Sequence, residues 1–188
     1  MAAKGRAMAT LKLEGVPTWS EVEDFRDKTR ALYRKKELSL RDFLILNFYP
    51  TTGMKTSEML LLKKGDLNLQ IGTARVIGKI GSREIFIMPS MIPYLKEHVK
   101  DLHDQDKVFK LTRRQALNIN YKYTDEILGR RLRVEDWRHA FAIRMLETIK
   151  DSTVIRKMMG QKSSKMMKVY QQAIQRDLKD EVMRALGG

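Results

Sequence analysis

The sequence predicts a mainly α-helical protein that carries a small three-stranded antiparallel β-sheet. Two observations predict this. Apolar residues recur at helical spacing along most of the 188 residues, with capping residues where runs begin and glycines where several end. Between Asp66 and Met88 the period shortens to that of strands, interrupted by two turn clusters. The chain is 43% hydrophobic, enough for a packed core rather than disorder throughout.

Residues 1–14 read as a flexible basic leader, with weak strand-like alternation in Thr10-Leu11-Lys12-Leu13, and residues 15–188 as one domain. Thr18 or Ser20 caps a first helix, whose opening turn holds Glu21, Glu23 and Asp24 near the positive end of its dipole. Ser39 caps a second, strongly apolar helix from Leu40 to Tyr49, which Pro50-Thr51-Thr52-Gly53 is expected to break. A third begins near Thr56 or Ser57 and ends by Lys64-Gly65, where Gly65 can supply a left-handed cap. Strands are expected over Asp66–Leu69, Ala74–Gly78 and Arg83–Met88, joined by turns at Gln70-Ile71-Gly72-Thr73 and Lys79-Ile80-Gly81-Ser82. Helices then follow over Met91–His103, Thr112–Leu128 and Trp137–Ile149. Next come a short helix capped by Asp151 and ended by Gly160, another after Ser163 or Ser164, and a last one over Ile174–Leu186.

Composition narrows the function. Lys and Arg number 37 against 23 acids, a net charge of +14, which predicts a polyanionic partner, nucleic acid first. There is no Cys, so disulfides, thiolate metal sites and thiol chemistry are excluded. Three scattered histidines make no zinc pattern, and neither a metal nor a cofactor is expected. No apolar run is long enough for a membrane span, and an intracellular setting follows: cytoplasm or nucleoid, or a host cell for a viral protein.

Four segments, in order, carry chemistry. They are Thr52-Gly53-Met54-Lys55-Thr56-Ser57-Glu58-Met59-Leu60, Val76-Ile77-Gly78-Lys79-Ile80-Gly81-Ser82-Arg83-Glu84 and Glu135-Asp136-Trp137-Arg138-His139-Ala140-Phe141-Ala142. The fourth is Met159-Gly160-Gln161-Lys162-Ser163-Ser164, closing on Val169-Tyr170. Together they resemble the catalytic domain of tyrosine recombinases, the phage-integrase family, from about Thr18 onward, and the 32 residues from Arg138 to Tyr170 suit that pattern.

The resemblance implies that fold and a chemistry of DNA strand cleavage and rejoining through a 3′-phosphotyrosyl intermediate on double-stranded DNA. It makes Tyr170 the nucleophile, Arg138 a phosphate clamp and Lys79 the acid that protonates the leaving deoxyribose oxygen. Three positions depart from the family. Lys55 stands where the first Arg is usual and offers a hydrated point charge in place of a bidentate fork. Glu135 stands where His or Lys is usual and repels a phosphate. Gln161 replaces His or Trp and keeps a neutral donor. The departures predict a weakened reaction. His139 matches a His often found after the second Arg and is expected to give structural support or simply to pack beside Trp137, and Glu58 is expected to orient its loop or to pair with Lys55.

Phosphate contacts are expected from Arg130, Arg131, Arg133, Lys63, Lys64, Arg113 and Arg114, with Lys35 and Lys36 as further candidates. The resemblance also implies a homo-oligomer on DNA, formed through the apolar stripe of the last helix from Ile174 to Leu186, although that stripe could equally pack on its own core. About 17 residues precede the first helix, too few for the N-terminal DNA-embracing domain usual in the family. The chain is therefore expected to be either a piece of a longer protein or a single-domain form. Two readings stay open: a recombinase or integrase, and a recombinase fold kept as a non-enzymatic DNA-binding regulator or segregation factor. An RNA-binding or scaffold protein is the distant third.

Overall fold

The computed structural model describes Leu13, residues 15–79 and residues 81–186, apart from the side chains of residues 180 and 181. The expected leader and its strand therefore lie outside the described residues, except for Leu13. Eight helices and one sheet follow in chain order among the described residues: α1 (Trp19–Arg34), α2 (Leu40–Thr52), α3 (Thr56–Leu61), β1 (Leu67–Asn68), β2 (Thr73–Gly78), β3 (Gly81–Phe86), α4 (Ile92–Val99), α5 (Arg113–Leu128), α6 (Val134–Ile149), α7 (Ser152–Met158) and α8 (Lys165–Ala185).

Local chemistry accounts for most boundaries. Thr18, rather than Ser20, caps α1: its hydroxyl accepts from Glu21 N–H, and the Glu21 carboxylate accepts from Thr18 N–H, a reciprocal capping box. The Asp151 carboxylate accepts from the N–H groups of Thr153 and Val154 at 2.8 and 3.1 Å and starts α7. Several boundaries differ from expectation: α4 stops at Val99 rather than His103, α6 starts at Val134 rather than Trp137, β3 spans Gly81–Phe86 rather than Arg83–Met88, and three more differ for reasons that the packing shows. Helix α2 does not stop at Tyr49 but runs through Pro50 to Thr52, because its buried apolar face continues and the Thr51 and Thr52 hydroxyls bond back to the carbonyls of Asn47 and Phe48 at 2.6 Å. Gly53 then ends it in the left-handed region, at φ 62. Gly65 is no left-handed cap, for α3 already stops at Leu61 and Gly65 sits within a single 3-10 turn, Lys64–Asp66. The two helices expected after Ser163 are one continuous α8.

The sheet is the expected antiparallel meander, in the order β1-β2-β3. Register pairs Ala74 with Ile85, Val76 with Arg83 and Gly78 with Gly81, which leaves a tight hairpin with Lys79 at its tip. Ala74, Val76 and Ile85 turn inward while Arg75 and Ile77 face solvent, the period-two alternation of a half-covered sheet.

Two apolar clusters hold these elements. The larger joins α1, α2, α4, α5, the sheet and the start of α6, with Phe25 tilted on Trp137 at 4.8 Å. The smaller gathers Phe141, Ala142 and Leu146 of α6, Ile155 and Met159 at α7, and Met167 and Tyr170 of α8. Helix α6 lies between them, which is why nine of its residues are buried. Each fully buried large side chain contributes about 1.5–3 kcal/mol. The linker before α6 is pinned by Asn120, which accepts from Trp137 Nε1 at 2.8 Å and donates to Leu132 O at 2.6 Å.

Candidate functional site: a cationic cleft over a buried tyrosine

A cleft of about 610 Å³ opens between the start of α3, the β2–β3 hairpin and the loop joining α7 to α8. Lys55, Lys79, Arg83, Arg156, Lys157 and Lys162 line it, against the single carboxylate of Glu58. Such a surplus of cations in a concave site concentrates an anion.

One ion pair braces the cleft. Arg83 of β3 donates from both terminal nitrogens to the two Glu58 oxygens, at 2.7 and 2.9 Å, and from Nε to Met158 O at 2.7 Å. Glu58 also accepts from Lys55 N–H at 2.8 Å. Burial pushes the Glu58 carboxyl up, but the bonds from Arg83 and Lys55 and the charges of Arg83 and Arg138 outweigh it and leave the pKa below the ordinary carboxylate value. Two glycines make room for the brace. A Cβ at Gly78 would lie 2.9 Å from Glu58 Oε1, and one at Gly160 would lie 3.1 Å from an Arg83 terminal nitrogen. Glu58 is thus tied to its own loop through Lys55 N–H, but its charged partner is Arg83, not the Lys55 ammonium.

Arg138 lies behind this wall, 2% exposed. Its terminal nitrogens donate to Gly53 O and Met159 O, so one guanidinium ties the end of α2 to the end of α7. Its Nε is 4.0 Å from the Glu135 carboxylate, which is itself half exposed. Burial lowers its pKa and the charges of Glu58 and Glu135 raise it in part. Tyr170 is 1% exposed. Its hydroxyl is 2.9 Å from His139 Nδ1. Burial raises the phenol pKa, while a hydrogen bond from Gln161 and the charge of Arg138 pull it down. The Gln161 Oε1 is buried without a partner among the described residues.

The structure therefore brings Lys55, Lys79 and Gln161 to the cleft wall and sets Tyr170 and Arg138 behind it, linked to it through Gln161 and the Met159–Gly160 backbone. Glu135 stands beside Arg138, away from the wall.

The seven expected phosphate contacts lie elsewhere. Arg130 pairs with Glu21 at 2.8 Å, Arg131 with Asp125 at 3.3 Å and Arg133 with Asp136 at 2.7 Å. Lys63 donates to the Gln105 side chain at 2.8 Å and Lys64 to Leu102 O at 2.5 Å. Arg113 and Arg114 are exposed in the first turn of α5. None of the seven lines the cleft. Arg83, Arg156, Lys157 and Lys162, which do, were not singled out by sequence. The only signal for them was their place within or beside the four quoted segments.

Among the described residues, no group of three or more His, Asp or Glu could hold a metal ion. No described helix is long and apolar enough to cross a membrane.

The sequence profile of the phage integrase family matches residues 20–176, most of the chain. The chain belongs to that family. Among curated relatives, tyrosine recombinase XerD of Chlorobaculum tepidum is 28% identical over 175 residues, covering 84% of this chain and 57% of the relative. Tyrosine recombinase XerA of Saccharolobus solfataricus is 26% identical over 148 residues, covering 78% and 50%. This integrase-family chain thus spans about half the length of the relatives it matches. Solved structures share the fold: a XerA recombinase at TM-score 0.72 and 16% identity, covering 90% of this chain and 61% of that one. A XerH site-specific recombinase bound to palindromic difH substrate superposes at TM-score 0.71 and 22% identity, covering 82% and 48%. The mainly helical fold with a three-stranded antiparallel sheet is that of tyrosine recombinase catalytic domains.

Proposed function

We propose that this chain cleaves and rejoins DNA strands, with Tyr170 as nucleophile. The observation that carries the reading is the Gln161 loop, which has the cation-lined cleft on one side and the Tyr170 hydroxyl and Arg138 guanidinium on the other. Double-stranded DNA lays one phosphate in the cleft. As the Gln161 loop between them gives way, the Tyr170 oxygen attacks phosphorus, and Lys79 at the exposed hairpin tip protonates the departing deoxyribose oxygen. Arg138 spends two of its five N–H groups on backbone carbonyls and its Nε lies 4.0 Å from the Glu135 carboxylate, which leaves the remaining two for charge developing on the phosphate. Lys55 adds a point charge, and Gln161 steadies the phenol.

A suicide duplex nicked beside the cleavage point tests this reading. A denaturation-resistant protein–DNA adduct is expected, and it should vanish in Tyr170→Phe. Lys79→Ala, which removes a side chain outside both apolar clusters, should slow the adduct by about 10²-fold. If the unaltered chain yields no adduct on its own target, the catalytic reading is wrong.

A second reading is favoured by one observation: the Arg138 guanidinium is fully buried, tied to two carbonyls and beside the Glu135 carboxylate. On that reading the fold binds DNA without cutting it, as a regulator or segregation factor, and the same assay would show salt-sensitive binding with no adduct. On either reading, self-association on DNA would run through α8, whose Leu178, Val182, Met183 and Leu186 are exposed.

A further inference from the structure

We propose that His139 is a catalytic residue of strand cleavage, its Nδ1 accepting the Tyr170 phenol proton as the tyrosine oxygen attacks phosphorus. The inference rests on the nucleophile assignment above and adds to it the group that activates the nucleophile. A phenol at neutral pH holds its proton, and burial raises the Tyr170 pKa further, so attack needs an acceptor in contact with the hydroxyl. His139 provides that contact. Its Nδ1 lies 2.9 Å from the hydroxyl oxygen, and the two rings sit 5.7 Å apart, tilted by 59°. Both side chains are buried, so water does not compete freely for the bond.

The surroundings keep the imidazole neutral. Burial lowers its pKa, Glu135 and Asp136 raise it, and Arg133 and Arg138 lower it; all four charged groups belong to α6 or its cap. From α8 the group that faces it is the Tyr170 phenol. A neutral imidazole carries one N–H and one acceptor nitrogen, so with the proton on Nε2 the lone pair of Nδ1 points at the phenol.

The step balances. The O–H bond of Tyr170 breaks and its proton moves to Nδ1, while the oxygen forms a bond to phosphorus. The bond from phosphorus to the deoxyribose oxygen breaks, and that oxygen takes a proton from Lys79. Rejoining runs the transfers backwards. Glu135 is the competing base, but its carboxylate is spent beside Arg138 Nε and is half exposed.

The tautomer decides first. Nitrogen-15 NMR of the histidine-labelled full chain near pH 7, with His139 assigned from His139→Gln, should show Nδ1 unprotonated and Nε2 protonated. A proton on Nδ1 would make His139 a donor to the phenol oxygen and overturn the proposal, whether or not any DNA is cut. The pH profile of adduct formation comes second. The unaltered chain should lose rate as pH falls through the lowered His139 pKa. His139→Gln should be slower by about 10²-fold, without that acid limb, while still binding uncleaved duplex. An unchanged rate and profile in His139→Gln would sink the proposal and leave the proposed function standing. No adduct from the unaltered chain would instead count against the proposed function itself. If His139→Gln fails to fold, the tautomer in the unaltered chain still decides between base and donor, with assignment made from the Tyr170→Phe shift.

Discussion

Two buried tyrosines show how surroundings set the chemistry of one side-chain type. Tyr49 is 1% exposed, bonds to the Thr56 hydroxyl at 3.4 Å, and burial pushes its pKa up to about 12. Tyr170 is as buried, yet it meets His139, Gln161 and the field of Arg138. Glu135 acts on the same centre from a distance: its negative charge raises the pKa values of both Tyr170 and His139. Glu135→Gln is therefore expected to lower both, a result that tyrosine and histidine NMR titrations would register as downward shifts, and equal values in the two proteins would contradict it. Removing the Tyr170 hydroxyl leaves His139 Nδ1 buried without its partner, so Tyr170→Phe should also cost about 1–3 kcal/mol in denaturant unfolding.

Beyond the two apolar clusters, a few polar ties join helices to the sheet. The Glu58–Arg83 pair joins α3 to β3 and, through Met158 O, to the end of α7. Its side chains are 5% and 11% exposed, so removing one partner strands a buried charge. Arg83→Met should destabilise by about 3–5 kcal/mol. Because the folded Glu58 pKa lies below its unfolded value, its contribution is complete at pH 7 and is lost as pH falls through the folded value. Melting curves between pH 7 and pH 3 should therefore fall less steeply in Glu58→Gln, from a lower starting point. The turn that receives Arg138 is equally specific. Gly53 sits at φ 62, and a Cβ there would come 2.6 Å from Phe141 Cδ1, so Gly53→Ala should destabilise by at least about 1 kcal/mol.

The whole molecule carries its surplus charge unevenly. Arg130, Arg131 and Arg133 are each matched by a carboxylate, whereas the cleft holds six cations against one. Exposed ion pairs are weak, about 0–1 kcal/mol, and a phosphate can replace the carboxylate. Such a contact yields a smaller net release of counterions than one at an unmatched lysine. DNA affinity should fall linearly with the logarithm of salt. Lys157→Ala in the cleft wall should reduce that slope by about 1, and Arg131→Ala should change it less. Salt titrations of duplex binding would reveal the opposite ranking if the outer arginines dominate. Beyond Ile174 the apolar stripe of α8 does not pack on the core of the described chain: Leu178 and Val182 are 57% and 46% exposed. Leu178→Glu should leave the monomer folded and weaken any assembly on DNA seen by light scattering.

What the amino-acid order determined alone is local. Thr18 with Glu21, Asp151 before Val154 and the alternation from Thr73 to Phe86 specify caps and a hairpin through contacts a few residues apart, and four short segments in order identified the family. The extent of α2 through Pro50 was not legible, because burial on both sides of that helix outweighs the local preference to break. Nor were the pairings that build the site. Arg83 reaches Glu58 across 25 residues, and His139 reaches Tyr170 across 31. Spacing along a chain fixes which face of a helix a side chain occupies, but not which other element will pack against that face. Only the closing of α6 against α8, and of the hairpin against α3 and α7, decided which cations stand in the cleft and which are already neutralised.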